Sequence, residues 1–154
     1  MLVSVDPTRL SVVCGDYALV SKTVDGTFPD YQRAIPTIND KVISFDPKWF
    51  IESAKRVSSV ATEKTKALKF TLSKDKVTMM CTSPENGVNT EECPCSCDVD
   101  GFEIGLNHAY FRDVISAFGD VEIVTMSFSD SSSPILVSST QKPELTQVIM
   151  PMRI

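Results

Sequence analysis

The side chains best suited to chemistry in this chain are three cysteines spaced one residue apart (Cys93, Cys95 and Cys97), a single histidine (His108), a carboxylate pair (Glu91 and Glu92) and a serine-rich run from Ser127 to Ser133. Thiolates and imidazole suggest zinc. Structural zinc sites, however, pair cysteines roughly two to four residues apart and need a second ligand pair elsewhere. Here the thiols alternate and His108 is the one histidine available. On a strand, residues i, i+2 and i+4 share one face, so three small apolar thiols turned to a core account for the run. No metal is expected. Cys14 and Cys81 bring the count to five, and an odd set without a secretory leader points to free thiols.

Catalytic readings fare no better. Glu91 and Glu92 are adjacent on a predicted strand, so they point to opposite faces and cannot share a proton; a solvated edge is expected for them. The glycines form neither G-x-x-x-x-G-K nor G-x-G-x-x-G, so no phosphate cradle and no cofactor is expected. The serine run falls in a predicted turn, and no G-x-S-x-G elbow is present. A small hydrolase built on His108 stands as a rival reading, to be told by a turnover that His108→Ala abolishes.

What remains is binding. At 154 residues the length suits one principal domain with a proper core. No apolar run approaches about 18 residues, so no membrane span is expected. Met1-Leu2-Val3-Ser4-Val5-Asp6 has no basic region followed by a long apolar one, so a cytoplasmic protein is expected. The net charge of −5 argues against a wholly basic nucleic-acid binder, but the charge is unevenly spread. Lys48, Lys55, Arg56, Lys64, Lys66, Lys69, Lys74 and Lys76 crowd one stretch, while Val77 to Phe111 has acids and no lysine or arginine. That pattern fits either ordinary solvation or a positive face set against a negative one.

The elements that would position these residues repeat. Asp46-Pro47 opens a helix, as N-cap and first helical residue, with an apolar stripe of Phe50, Ala54, Val57 and Ala61. Asn107 opens a second, with Phe111, Ile115 and Phe118 as its stripe and Gly119 as its stop. Tyr110 matches Trp49, and Asp113 matches Glu52. Strands are predicted over 42–45 and 102–106 ahead of the helices. After the first helix they are predicted over 67–73, 77–82 and about 92–99, and after the second over 121–129, 134–139 and 145–152. The chain therefore reads as β-α-β-β-β twice, an α+β domain with two helices packed on antiparallel sheets. Two further short strands, around Leu10–Cys14 and Ala18–Lys22, belong to neither copy.

Two segments carry a resemblance. Asp25-Gly26-Thr27-Phe28-Pro29-Asp30-Tyr31-Gln32-Arg33-Ala34-Ile35-Pro36 resembles the D-G-x-F-P-D-Y-x-R-x-x-P segment of the bacterial DNA polymerase III β subunit, the β sliding clamp family. Val148-Ile149-Met150-Pro151-Met152-Arg153-Ile154 resembles that family's M-P-M-R-[LI] ending. The resemblance covers the whole chain but only the last two-fifths or so of a family subunit. It implies the DNA-clamp fold, with residues 1–31 as terminal strands of the middle domain plus connector and 32–154 as the C-terminal domain.

The resemblance further implies a processivity factor rather than an enzyme, a homodimeric ring around duplex DNA that tethers the DNA polymerase III catalytic subunit, the clamp loader and other partners. The implied peptide cleft takes Pro29, Arg33 and Ala34 from the first segment, Asn107 and Tyr110 from the second helix, and Val148, Ile149, Met150, Pro151, Met152, Arg153 and Ile154 from the last. Lys48, Lys55, Arg56, Lys64, Lys66 and Arg112 are the candidates to face DNA, by nonspecific phosphate attraction. This chain by itself is not expected to close a ring. Two alternatives stay open on sequence alone: Met150 and Met152 as plain core residues, and a stand-alone peptide-binding adaptor without DNA tethering.

Overall fold

The computed structural model describes residues 1–154. The chain divides into two compact units, Met1–Tyr31 and Gln32–Ile154.

The first unit is a three-stranded antiparallel sheet, β1 (Leu2–Val5), β2 (Arg9–Cys14) and β3 (Tyr17–Lys22), in the order β1-β2-β3. Asp6 shapes the β1–β2 turn by accepting the backbone N–H groups of Thr8 and Arg9, each at 2.8 Å. Alternation in the sequence marks β2 and β3 but not β1, which has only four residues.

A 3-10 turn, Tyr31–Ala34, carries the chain from the last residue of the first unit into the second unit. Its elements follow as β4 (Lys41–Phe45), α1 (Pro47–Val57), β5 (Ala67–Ser73), β6 (Lys76–Ser83), β7 (Gly87–Pro94) and β8 (Ser96–Cys97). After these come β9 (Phe102–Asn107), α2 (His108–Ser116), β10 (Val124–Phe128), β11 (Ile135–Ser138) and β12 (Gln147–Ile149). Two antiparallel sheets result, β12-β11-β10-β4-β8 and β7-β6-β5-β9. The repeats are interlocked. β4, from the first copy, pairs with β10 of the second, while β9, from the second, pairs with β5 of the first. Each helix therefore hangs from a strand that sits in the other copy's sheet.

Both helices start where a side chain can satisfy the orphan N–H groups of the first turn. Asp46 accepts the N–H of Lys48 at 2.8 Å, and Asn107 accepts that of Ala109 at 3.0 Å. Each helix is shorter than its apolar stripe implied. α1 stops at Val57 and gives way to a 3-10 turn, Ser58–Val60, so Ala61 is half-buried beyond it; α2 stops at Ser116, and Phe118 reaches the core from the turn that follows. Gly119 closes that turn at φ 62°, a left-handed conformation that glycine adopts without the Cβ clash.

The two inner sheet faces and both helices share one core, in which Phe45 stacks on Phe50 with centroids 3.9 Å apart and Phe70 meets Phe111 edge-on at 5.1 Å. The strand predicted over 92–99 is a correction. β7 begins at Gly87 and ends at Pro94, which cannot donate to a ladder; the chain then crosses to the other sheet as β8, paired with β4. Cys93 and Cys97 are buried on either side of that crossing, and Cys95 stands half-buried at the break, so the three thiols do not share one strand face.

Candidate functional site

α2, its cap Asn107, and β12 with the segment after it frame a cavity of about 570 Å³ lined by Asn107, Tyr110, Asp113, Val114 and Val148 to Met152. The sequence positions the wall from both sides. Asn107 is fixed by its capping bonds, which direct α2 away from β9. Ile149 turns into the core and pairs with Ile135, which leaves Val148 and Met150 on the other side of the backbone. Met150 is 58% exposed and Tyr110 62% exposed, while Val114, Pro151 and Met152 are half-buried. The residue of this strand in the core is Ile149, not either methionine, which answers the plain-core reading of Met150 and Met152. No ionised group but Asp113 borders the cavity, so its wall is apolar and deformable, with Met thioethers as the soft part.

The cavity brings together Asn107, Tyr110, Val148, Ile149, Met150, Pro151 and Met152 of the expected set. Arg33 and Ala34 stand exposed in the 3-10 turn that opens the second unit and are not among its lining residues; Pro29 belongs to the first unit. Arg153 is exposed, and Ile154 lies against a separate shallow depression on the four-stranded sheet, beside Ala67, Lys69 and Met80. Val114 and Asp113 line the cavity too and were missed; their position one turn on from Tyr110 along α2 was the available signal.

The cationic candidates are mostly engaged. Lys48 pairs with Asp120 at 3.3 Å, Lys55 with Glu52 at 2.6 Å and Lys66 with Glu63 at 3.6 Å, all solvent-exposed pairs that exchange readily with water. Arg56 is held differently. Its Nε donates to Glu91 Oε2 at 3.0 Å, and Ser53, fully buried, donates to Glu91 Oε1 at 2.8 Å. The Arg56 hydrogen bond, then that from Ser53, holds the Glu91 carboxyl below its ordinary range. The solvated edge expected for Glu91 is thus corrected: it anchors α1 to β7, while Glu92, on the opposite face, pairs with Lys76. Lys64 and Arg112 are in no ion pair.

Two reactive candidates are accounted for. Burial first, and then the neighbouring Cys97, push the Cys95 thiol up to about 12, so it carries no thiolate for metal or nucleophilic chemistry at neutral pH. His108 occupies the first position of α2, with Nδ1 buried and without a hydrogen-bond partner. A catalytic base is oriented by a third group on that nitrogen; here the charged neighbours are cations, Arg112 and Lys66, and burial together with them lowers the imidazole's affinity for a proton.

An α+β domain of two interlocked repeats, with an apolar cavity between its second helix and its last strand, is the class of protein defined here. Comparison with known proteins makes that specific. Residues 32–153 match the family described as DNA polymerase III beta subunit, C-terminal domain, and the chain belongs to that family. It is 33% identical over 150 residues to the beta sliding clamp of Caulobacter vibrioides and 33% identical over 146 residues to that of Pseudomonas aeruginosa, covering 97% and 95% of this chain. Among solved structures it superposes on a DNA polymerase sliding clamp from Caulobacter crescentus with a TM-score of 0.90 at 32% identity. On a Bartonella birtlesii sliding clamp bound to griselimycin the TM-score is 0.91 at 28% identity; each covers 99% of this chain. The chain spans 40% of the length of both relatives.

Proposed function

We propose that this chain is the C-terminal portion of a bacterial replication clamp and that its cavity receives short apolar peptides from replication proteins. The observation that carries the reading is the cavity itself, in which Tyr110 from α2 and its N-cap Asn107 meet Val148 to Met152. Each anchor side chain of Leu or Phe size, fully buried, contributes roughly 1.5–3 kcal/mol. Two or three anchors leave an affinity on the order of micromolar after ordering costs. Such a strength suits a surface that exchanges partners. The polymerase III catalytic subunit and the clamp loader are the proposed partners, and the protein acts as an accessory subunit without chemistry of its own.

In this reading Met1–Tyr31 is the end of a middle domain, Pro29 stands in the connector, and Arg33 and Ala34 serve the cleft. Arg153 and Ile154 extend its wall. Duplex DNA is met without sequence preference by surface cations, with exposed Lys64 and half-buried Arg112, which are in no ion pair, foremost, Lys48, Lys55 and Lys66 through exchangeable pairs, and Arg56 least. A full-length subunit of this family would supply the remaining parts of a homodimeric ring.

The test is a titration of a fluorescent peptide with two apolar anchors into the chain, beside a Met150→Ala, Met152→Ala double variant. Saturable binding weakened at least tenfold in the variant supports the reading. Equal affinity in both, with both folded by circular dichroism, overturns it.

A further inference from the structure

Gly105 is the one glycine in the interior of any strand of this chain. It sits in the middle of β9, opposite Lys69 of β5. Glycine there weakens a strand, because it has no side chain to pack and more conformational freedom to lose. Its backbone torsions do not call for it, since Gly105 is absent from the positive-φ positions Gly15, Gly26, Gly87, Gly101 and Gly119. Space does call for it. A Cβ at Gly105 would stand 2.6 Å from the carbonyl oxygen of Met152 and would collide with Cγ2 of Ile154.

That contact belongs to a particular geometry. β9 is the edge of the four-stranded sheet. The N–H of Met152 donates to the Gly105 carbonyl at 2.8 Å, in an isolated antiparallel bridge. Three residues earlier Ile149 is still paired with Ile135 in the five-stranded sheet. The segment is thus tied to one sheet at Ile149 and to the other at Met152, and Met150 and Pro151, between the two ties, form the middle of the Val148 to Met152 wall of the cavity.

We propose that Gly105 is a positioning residue for the cavity wall: its missing side chain lets Met152 dock on the β9 edge and so sets where Met150 and Pro151 stand. The link to binding rests on the peptide reading of the cavity; the hold on Met152 does not. Alanine at this position would otherwise favour the strand, so a defect on Gly105→Ala isolates the close approach as its cause.

The experiment uses the whole 154-residue chain. Amide hydrogen exchange is followed by NMR in the parent and in Gly105→Ala, and the fluorescent two-anchor peptide is titrated into both. Met152 is expected to exchange at least tenfold faster in the variant while amides of β5 and β6 keep their protection, and the peptide is expected to bind at least tenfold more weakly. Adding Ile154→Ala should not restore either, because the Met152 carbonyl, which is backbone, remains in the way. Unchanged exchange at Met152 overturns the proposal. So does loss of protection throughout, which would assign Gly105 to the fold as a whole, and so does faster exchange at Met152 with peptide affinity intact. A parent chain that takes up no peptide sinks the reading of the cavity instead, and exchange at Met152 alone then decides the role of Gly105.

Discussion

Arg56 Nε lies 3.0 Å from Glu91 Oε2, and its Nη2 donates to the Ser53 hydroxyl at 3.0 Å, so the guanidinium is fastened to the β7 side of α1. A planar donor fork held by a carboxylate is not free to follow a phosphate backbone. Exposed Lys64, and Arg112, in no ion pair, are. Arg56→Ala is therefore expected to lower the thermal midpoint by leaving Glu91 without its main partner, and to leave duplex binding unchanged. Lys64→Ala and Arg112→Ala should each weaken binding and reduce the salt slope by about one. Anisotropy titrations of a short duplex across a salt series separate the two classes. A loss on Arg56→Ala equal to that on Lys64→Ala would show that the Glu91 pair opens for DNA.

Tyr110 is the residue for which binding and stability are expected to part most cleanly. Its side chain is 62% exposed on the outer rim of α2, yet it lines the cavity. Surface substitutions away from special contacts usually stay within about 0.5 kcal/mol in stability, whereas truncating an aromatic anchor at an interface commonly costs more than about 1 kcal/mol of binding. Tyr110→Ala should thus keep the denaturant midpoint near the parent value while weakening the two-anchor peptide by about fivefold or more. Phe at this position should retain most of the affinity if the ring does the packing. A midpoint that falls in step with affinity would mean that Tyr110 supports the helix rather than the ligand.

Asn107 does two jobs. Its Oδ1 caps α2 through Ala109 and Tyr110, and the residue also borders the cavity. Replacing an N-cap by alanine costs about 0.5–2 kcal/mol. Asn107→Ala should show that loss in chemical denaturation, with weaker peptide binding because the start of α2 loosens. Asn107→Asp keeps a capping oxygen and adds a charge favourable to a helix N-terminus. It should restore stability, so any affinity that it fails to restore measures the amide's own contact with the peptide.

The caps at Asp46 and Asn107 and the alternation in β5 and β6 were legible because they are decided within a few residues. What was hidden depends on partners far away in the chain. The exchange of β4 and β9 between the sheets leaves each repeat looking self-contained, since a strand's pattern does not say which sheet it joins. The crossing at Pro94 and Cys95 preserves the alternation of Cys93 and Cys97 while moving them to different sheets, so periodicity read straight through it. Arg56 looked like any helix-surface cation because Glu91 lies on a distant strand. The cavity was half legible. Its residues were readable by resemblance, but the tie between Met152 and Gly105 that shapes it joins two unrelated stretches.

His108 gives a prediction in pH. The chain has one histidine, and burial first, then Arg112 and Lys66, lower its folded pKa from the ordinary 6.5. The folded state thus disfavours the charged imidazole, with Nδ1 sealed from solvent, while the unfolded chain takes up a proton at the ordinary value. Where the unfolded state binds more protons, stability falls as pH falls. Stability from this group is therefore whole above 6.5 and is lost progressively as pH drops through 6.5 towards the lower folded value. Glutamine has no such proton to gain. His108→Gln should flatten the dependence of unfolding free energy on pH between about pH 7.5 and about pH 5.5, a range in which ordinary carboxylates stay ionised. Below that range both proteins should weaken together as carboxylates such as Glu91 are protonated. Parallel profiles for parent and variant across the upper range would mean that water reaches the imidazole and that Arg112 and Lys66 do not act on it.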